Sequence, residues 1–171
     1  SVGLWPYFLR KTLEKCAEVI PEGHGFHIHV AEDKIDQKES EKRYDVNVVA
    51  RLNQFKITGD NSIFVHGVHL SDDEIDTIHQ TDTWLTHQPR SNMNNAVGMA
   101  NVEKMVQRGI PICMGNDGFS FSMWDEWRTC YLAHKMWNQD PRRMGADQVV
   151  DIAAYNNARM ATKFFNGKIG V

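Results

Sequence analysis

A chain of 171 residues, 42% hydrophobic and 24% charged, has room for one domain with a core of its own. A formal net charge of −3 without a Lys/Arg-rich run argues against a nucleic-acid or anionic-membrane surface, and no apolar stretch is long enough to span a bilayer. The cysteines, Cys16, Cys113 and Cys130, are far apart and form no CxxC pair. That speaks against a disulfide framework or a Cys-based zinc site and suits a reducing, cytoplasmic setting.

Residues 7–19 hold Phe8, Leu9, Leu13, Cys16 and Ala17 near helical spacing, behind Pro6 and ahead of Pro21 and Gly23, and predict a first helix. Residues 25–31 predict a short buried strand. His27 and His29 are two apart in it and share a face, and Glu32 follows where the strand gives way to a loop. The charged run 33–44 reads as a solvated helix or loop. Val46, Val49, Leu52 and Phe55 then give a second helical stripe, closed by the turn Gly59-Asp60-Asn61.

A second strand spans 62–68 and carries His66. Ser71 followed by Asp72, Asp73 and Glu74 marks the start of a helix ending near Gln80. A third strand, 83–87, ends at His87 ahead of Pro89. Residues 90–98 read as a polar loop. Asn101 caps a helix that runs to Gln107, with Gly109 as its stop. The fourth strand, 110–114, runs into Gly115-Asn116-Asp117-Gly118. A helix over 123–138 carries Trp124, Trp127, Tyr131, His134 and Trp137 near one side, an aromatic stripe expected to pack in the core. Cys113 and Cys130 are expected to be small core residues. A last helix covers 146–165, and Gly167 breaks it.

Strands alternating with helices, and apolar without a two-residue alternation, predict an α/β fold with parallel strands. Each strand ends in an imidazole or a carboxylate: His29 and Glu32, His66, His87 with Asn92 just beyond, and Asp117. The C-terminal ends of parallel strands are where α/β sheets and barrels build sites. Histidine and aspartate suit zinc or another divalent metal. A metal lowers the pKa of bound water, a carboxylate can carry the proton, and a further imidazole can polarise a C=O or C=N bond. Together these groups predict hydrolysis at an unsaturated carbon. No Gly-x-Ser-x-Gly elbow, P-loop or Gly-x-Gly-x-x-Gly turn occurs.

In order, His29-Val30-Ala31-Glu32, His66-Gly67-Val68-His69-Leu70, Thr86-His87-Gln88-Pro89-Arg90-Ser91-Asn92 and Gly115-Asn116-Asp117-Gly118 resemble the amidohydrolase superfamily, in its deaminase and chlorohydrolase branch. The run Pro89-Arg90-Ser91-Asn92-Met93-Asn94-Asn95-Ala96-Val97-Gly98 looks most like the SsnA-type aminohydrolases. The resemblance implies a (β/α)8 barrel with one divalent metal ion, zinc first and iron as the alternative. It implies a small substrate, such as a heterocycle, whose C–N or C–Cl bond is hydrolysed. By position, His29 and Asp117 match metal ligands. Glu32 matches the proton shuttle, His66 the group that polarises the substrate, and Asp117 also the activator of water. Asn92 and His87 match the substrate pocket, and Arg90 is placed to meet an anionic substrate group or to form a surface ion pair. His27 and His69 are assigned supporting or packing roles.

The family's first-strand His-x-His has no second counterpart here, since the chain's own His-x-His is His27 and His29. The resemblance therefore implies that residues 1–171 form a single domain equal to the C-terminal half of the barrel, strands 5–8, without the N-terminal half and the small β-domain. Alone, such a half is expected to bind metal weakly and to be inactive. Two open sheet edges are expected, covered by self-association as a dimer. A non-catalytic α/β binding module that keeps the pocket residues is the alternative.

Overall fold

Four short strands, β1 (His27–Val30), β2 (Ile63–His66), β3 (Trp84–His87) and β4 (Ile112–Met114), pair in chain order, all parallel. The computed structural model describes residues 10–165; the expected helix start before Arg10, the break at Gly167 and the segment after it lie outside the described residues. His29 pairs with Val65, Val65 with Thr86, and Thr86 with Cys113, so these side chains share one face of the sheet. Val30, Phe64, Leu85 and Ile112 share the opposite face. There they join Val49, Leu52, Ile75, Ile78, Val102, Met105 and Ile152 in the hydrophobic core.

The helices follow from local signals. α1 (Arg10–Val19) buries Leu13. α2 (Lys34–Tyr44) starts at Asp33, whose carboxylate accepts from the Ile35 amide, and Asp36 Oδ2 reaches back to the amide of Glu32 at 3.0 Å. α3 (Val48–Gln54) is capped by Asn47. α4 (Asp72–Gln80) has the capping box of Ser71 and Glu74 that its sequence announces. Glu74 is itself buried: it accepts from Val49 N and Gln37 Nε2 and so ties α4 to α3 and α2. α6 (Val102–Gln107) follows Asn101 as expected, and α7 spans Met123–Asn138. No helix among the described residues is long and apolar enough to cross a membrane.

Three expectations are corrected. Residues 90–98 are not all loop: α5 (Pro89–Asn94) forms there, because Pro89 occupies the first helical turn, where its missing amide costs nothing. The last helix is not continuous: α8 (Ala146–Val150) and α9 (Asn156–Phe164) flank a π-helical turn over Asp151–Tyr155. The aromatic stripe of α7 packs in the core only in part: His134 is buried and Trp127 is half-buried against the core, but the rest of the stripe is not covered. Trp124 is 73% and Trp137 62% exposed, and the buried stripe is Glu126, Cys130, Ala133 and His134, at i, i+4, i+7 and i+8.

The sheet edges also differ from expectation. No strand pairs with the outer edge of β1 among the described residues. At β4, however, Asn157 accepts from Met114 N and donates to Met114 O, both at 2.9 Å, and Asn156 donates to Ile112 O at 2.8 Å. Two asparagine side chains thus take up the polar groups that a fifth strand would use.

Candidate active site

Three of the four strands end in a non-glycine residue with positive φ: Ala31 at 49°, His66 at 74° and, past β4, Asp117 at 51°. Such backbone costs of order 1–3 kcal/mol per residue and clusters at functional sites. Its effect is visible at His66. Strand alternation would place His66 with Phe64 on the helix-facing side. The left-handed turn instead brings its ring to 4.9 Å from that of His29, at 68°. Gly67 continues the turn at φ 58°, and a Cβ there would lie 2.7 Å from Leu85 Cδ1.

Glu32 stands between the two rings. Its Oε2 is 3.7 Å from His29 Nδ1 and 3.6 Å from His66 Nε2, and Asp117 Oδ2 lies 3.9 Å from the same His66 Nε2. Glu32 Oε2 and His66 Nε2 are buried and have no hydrogen-bond partner in the protein. These separations are too long for hydrogen bonds. The 3.6 Å pair suits two donors on one ion, since bonds of 2.0–2.2 Å set neighbouring donors about 3 to 3.6 Å apart, and the other two separations, 3.7 and 3.9 Å, lie just beyond that range. His29, Glu32 and His66 each offer a donor atom, all within 4.8 Å of one another. The residues present therefore fit a divalent metal.

The remaining valences hold the site in place. His66 Nδ1 meets Asn92 Oδ1 at 2.8 Å. A carboxamide oxygen only accepts, so His66 carries its proton on Nδ1 and leaves the Nε2 lone pair free. The His66 amide donates to Gln88 Oε1 at 3.0 Å. Glu32 Oε1 accepts from Asn95 Nδ2 at 3.2 Å, and Ser91 Oγ donates to Asp117 Oδ2 at 2.6 Å. Burial lowers the pKa of His66 despite the pull of Glu32. For Glu32, burial pushes upward, but His29, His66 and Asn95 outweigh it and hold the carboxyl below its usual range. The Glu32 carboxylate in turn raises His29.

The structure brings His29, Glu32, His66 and Asp117 together, with Asn92 directly behind His66. It does not bring His87 or Arg90 to them. His87 ends β3 on the helix-facing side, is fully buried, and meets His134 of α7 at 3.2 Å. Arg90 turns to Glu126: Nε donates to Oε1 at 2.6 Å, and Nη2 donates to Ser120 O at 2.9 Å. Both side chains are engaged in internal pairing and not with the cluster, and an ion pair was the alternative expected of Arg90. His69 Nε2 donates to Val97 O at 2.7 Å, a supporting contact, whereas His27 is exposed. Ser91, Gln88 and Asn95 were not foreseen. Their signal was present, because Ser91 and Asn95 are four apart and share a face once 89–94 is read as a helix.

The family model described as Amidohydrolase family matches residues 7–168. The 5-methylthioadenosine/S-adenosylhomocysteine deaminase of Syntrophomonas wolfei is 32% identical, over 90% of this chain and 36% of its own length. The 5′-deoxyadenosine deaminase of Methanosarcina acetivorans is 33% identical, over 89% of this chain and 35% of its own. Among solved structures, an adenosine deaminase from Xanthomonas campestris with bound zinc superposes with a TM-score of 0.84 at 23% identity, covering 97% of this chain and 39% of that one. The chain belongs to the amidohydrolase family and spans little more than a third of the length of these relatives. Its four parallel strands with flanking helices are the C-terminal half, strands 5–8, of the (β/α)8 barrel.

Proposed function

We propose that this amidohydrolase-family chain supplies half of a metal-dependent hydrolase centre that deaminates a small substrate, such as a heterocycle. The observation that carries the proposal is the pair of buried, partnerless atoms, Glu32 Oε2 and His66 Nε2, facing each other at 3.6 Å. His29 and Asp117 are the proposed metal ligands, with His66 and Glu32 within reach of the same ion; zinc is preferred and iron is the alternative. A divalent ion bound there supplies Lewis acidity, which brings the pKa of water towards neutrality.

The chain's own residues account for the proton traffic. Asp117 Oδ2, steadied by the Ser91 hydroxyl, accepts a proton from the attacking water. His66 faces the carbon under attack and stabilises charge on the atom double-bonded to it once its Nε2 has taken up a proton; Asn92, by accepting from Nδ1, turns Nε2 to the site and favours that doubly protonated ring. Glu32 is ionised and 3% exposed at its side chain, so it can hold a proton in a dry site and deliver it to the departing nitrogen. Deamination is preferred to dechlorination because the relatives in sequence are named deaminases. A further pair of ligands, from a first-strand His-x-His, is proposed to come from outside residues 1–171. Alone this chain is proposed to bind metal weakly and to be inactive, and to associate through the free edge of β1.

Ammonia release from 5′-deoxyadenosine and 5-methylthioadenosine tests the proposal, with zinc supplied, for this chain alone and joined behind the N-terminal part of a deaminase relative. Activity in the joined protein only, lost in Glu32→Gln with metal still bound, is expected. Equal activity of Glu32→Gln would refute the assignment. The alternative, a non-catalytic module, predicts that ligand binding survives His29→Ala.

A further inference from the structure

A second cluster of metal-type donors lies where no substrate can reach it. Cys130 and His134 are four apart on α7 and so share a face of that helix, the spacing by which a helix presents two ligands to one ion. His87, the last residue of β3, faces them. One nitrogen from each ring and the Cys130 sulfur all lie within 4.8 Å of one another, and all three residues are buried. The rings meet edge to face, with centroids 5.2 Å apart and the two Nε2 atoms 3.2 Å apart.

That arrangement leaves the protein's own hydrogen bonding incomplete. Only one of the two Nε2 atoms can carry the shared proton. If His134 donates it, His87 has its own proton on Nδ1; if His87 donates it, Nδ1 is a bare lone pair. In both cases His87 Nδ1 is buried and has no partner in the protein. Bonds of 2.0–2.1 Å to a tetrahedral ion separate two nitrogen donors by about 3.3 Å, close to the observed 3.2 Å.

We propose that His87, Cys130 and His134 form a second, buried binding site for a thiophilic d10 metal ion, Zn2+ or Cu+, that pins α7 to β3. Two imidazoles and a thiolate are the donor set such ions select. Both rings are neutral in the fold, since burial first, and for His87 the neighbouring His134 next, lowers their pKa. The Cys130 thiol, pushed up to about 12 by burial, gives its proton to solvent as the sulfur–metal bond forms, so affinity rises with pH. The titratable groups facing the cluster are Glu103 and Glu126 beside Cys130, Glu103 and Lys135 beside His134, and His66 beside His87. The bound thiolate leaves Cu+ neutral and Zn2+ with one positive charge opposite those acids. The site does not depend on the reaction proposed above, and its product is mechanical: α7 follows the loop that bears Asp117, so the ion would hold that loop's far end to the sheet.

The test uses the reduced, metal-free protein and two probes. Co2+ stands in for Zn2+ because a cobalt–thiolate bond gives a charge-transfer absorption that the sulfur-free cluster at His29, Glu32 and His66 cannot give. Cu+ is added from a chromogenic chelator under anaerobic conditions, and the two titrations decide between the ions. The expected result is the thiolate band or Cu+ transfer to one equivalent, unchanged in His29→Ala. Both should be lost in Cys130→Ala and weakened in His134→Asn by more than the roughly 10–100-fold that losing an outer-shell partner costs. Cys130→Ser, checked for folding by circular dichroism without metal, guards against a variant that fails to fold. Absence of both signals in the folded protein overturns the proposal. So does a thiolate band that survives Cys130→Ala, which would place the sulfur at Cys16 or Cys113.

Discussion

Arg90→Ala decides whether this arginine recognises a substrate or holds the fold. Glu126 is 0% exposed and receives Arg90 Nε at 2.6 Å; apart from the Arg90 amide at 3.3 Å it depends on that guanidinium. Removing one partner of a buried ion pair leaves an uncompensated charge and costs roughly 3–5 kcal/mol. Arg90 also gives up two hydrogen bonds to Ser120. Glu126→Gln removes only the charge, keeps a hydrogen bond, and leaves a guanidinium that can turn to Asp125 at 3.8 Å, so about 1 kcal/mol is expected. The pH dependence gives a second reading. Burial already raises the Glu126 carboxyl, against the pull of Arg90. Without Arg90 its folded-state pKa rises further, so the deficit grows as pH rises through that pKa and shrinks as pH falls towards 4.5. Urea unfolding of wild type, Arg90→Ala, Glu126→Gln and the double Leu variant, at neutral and acidic pH, measures each quantity. A loss below about 1 kcal/mol in Arg90→Ala, or one independent of pH, would refute the structural role and return Arg90 to the substrate.

Three further outcomes are expected. Asn92→Leu leaves His66 Nδ1 unpaired and should cost about 1–3 kcal/mol by urea unfolding. Because His66 is held neutral in the fold, its contribution is lost as pH falls below 6.5. That loss should be steeper in the variant, which lacks the hydrogen bond that favours the charged form, and parallel curves would contradict it. Gly67→Ala, at φ 58° with its Cβ against Leu85, should cost about 1–2 kcal/mol and displace the ring signals of His66 in NMR spectra; unshifted signals would show that the turn does not aim the ring. Light scattering should find a dimer, and His27→Pro, which removes an amide from the outer edge of β1 only, should make it a monomer. A wild-type monomer at high concentration would end that idea.

Much of the fold was legible because its signals are local. Ser71 with Glu74, Asn101, and the apolar strand runs each announce an element through contacts within a few residues. The cluster of His29, Glu32, His66 and Asp117 could be anticipated because parallel strands deliver their ends to one place. What failed was orientation. His87 stands at a strand end like His66, but its backbone stays extended and its ring goes to the helix side, while the left-handed φ of His66 reverses the direction. No composition rule separates those two histidines. On α7 the aromatic residues and the buried stripe differ by a small rotation of the helix, and the tertiary partners Arg90, His87 and β3 decide which one is covered.

The asparagine clasp on β4 bears on how copies of this chain can meet. A parallel sheet with two bare edges is a template without an end, because every added copy presents a new edge to the next. With Asn156 and Asn157 occupying Ile112 O and both polar groups of Met114, the β1 edge is the receptive one among the described residues. Two copies joined edge to edge through β1 would each show the other world only a clasped strand, so association stops at a pair. Replacing the two asparagines with alanine would reopen the second edge and turn a self-limiting contact into one that can propagate as a filament.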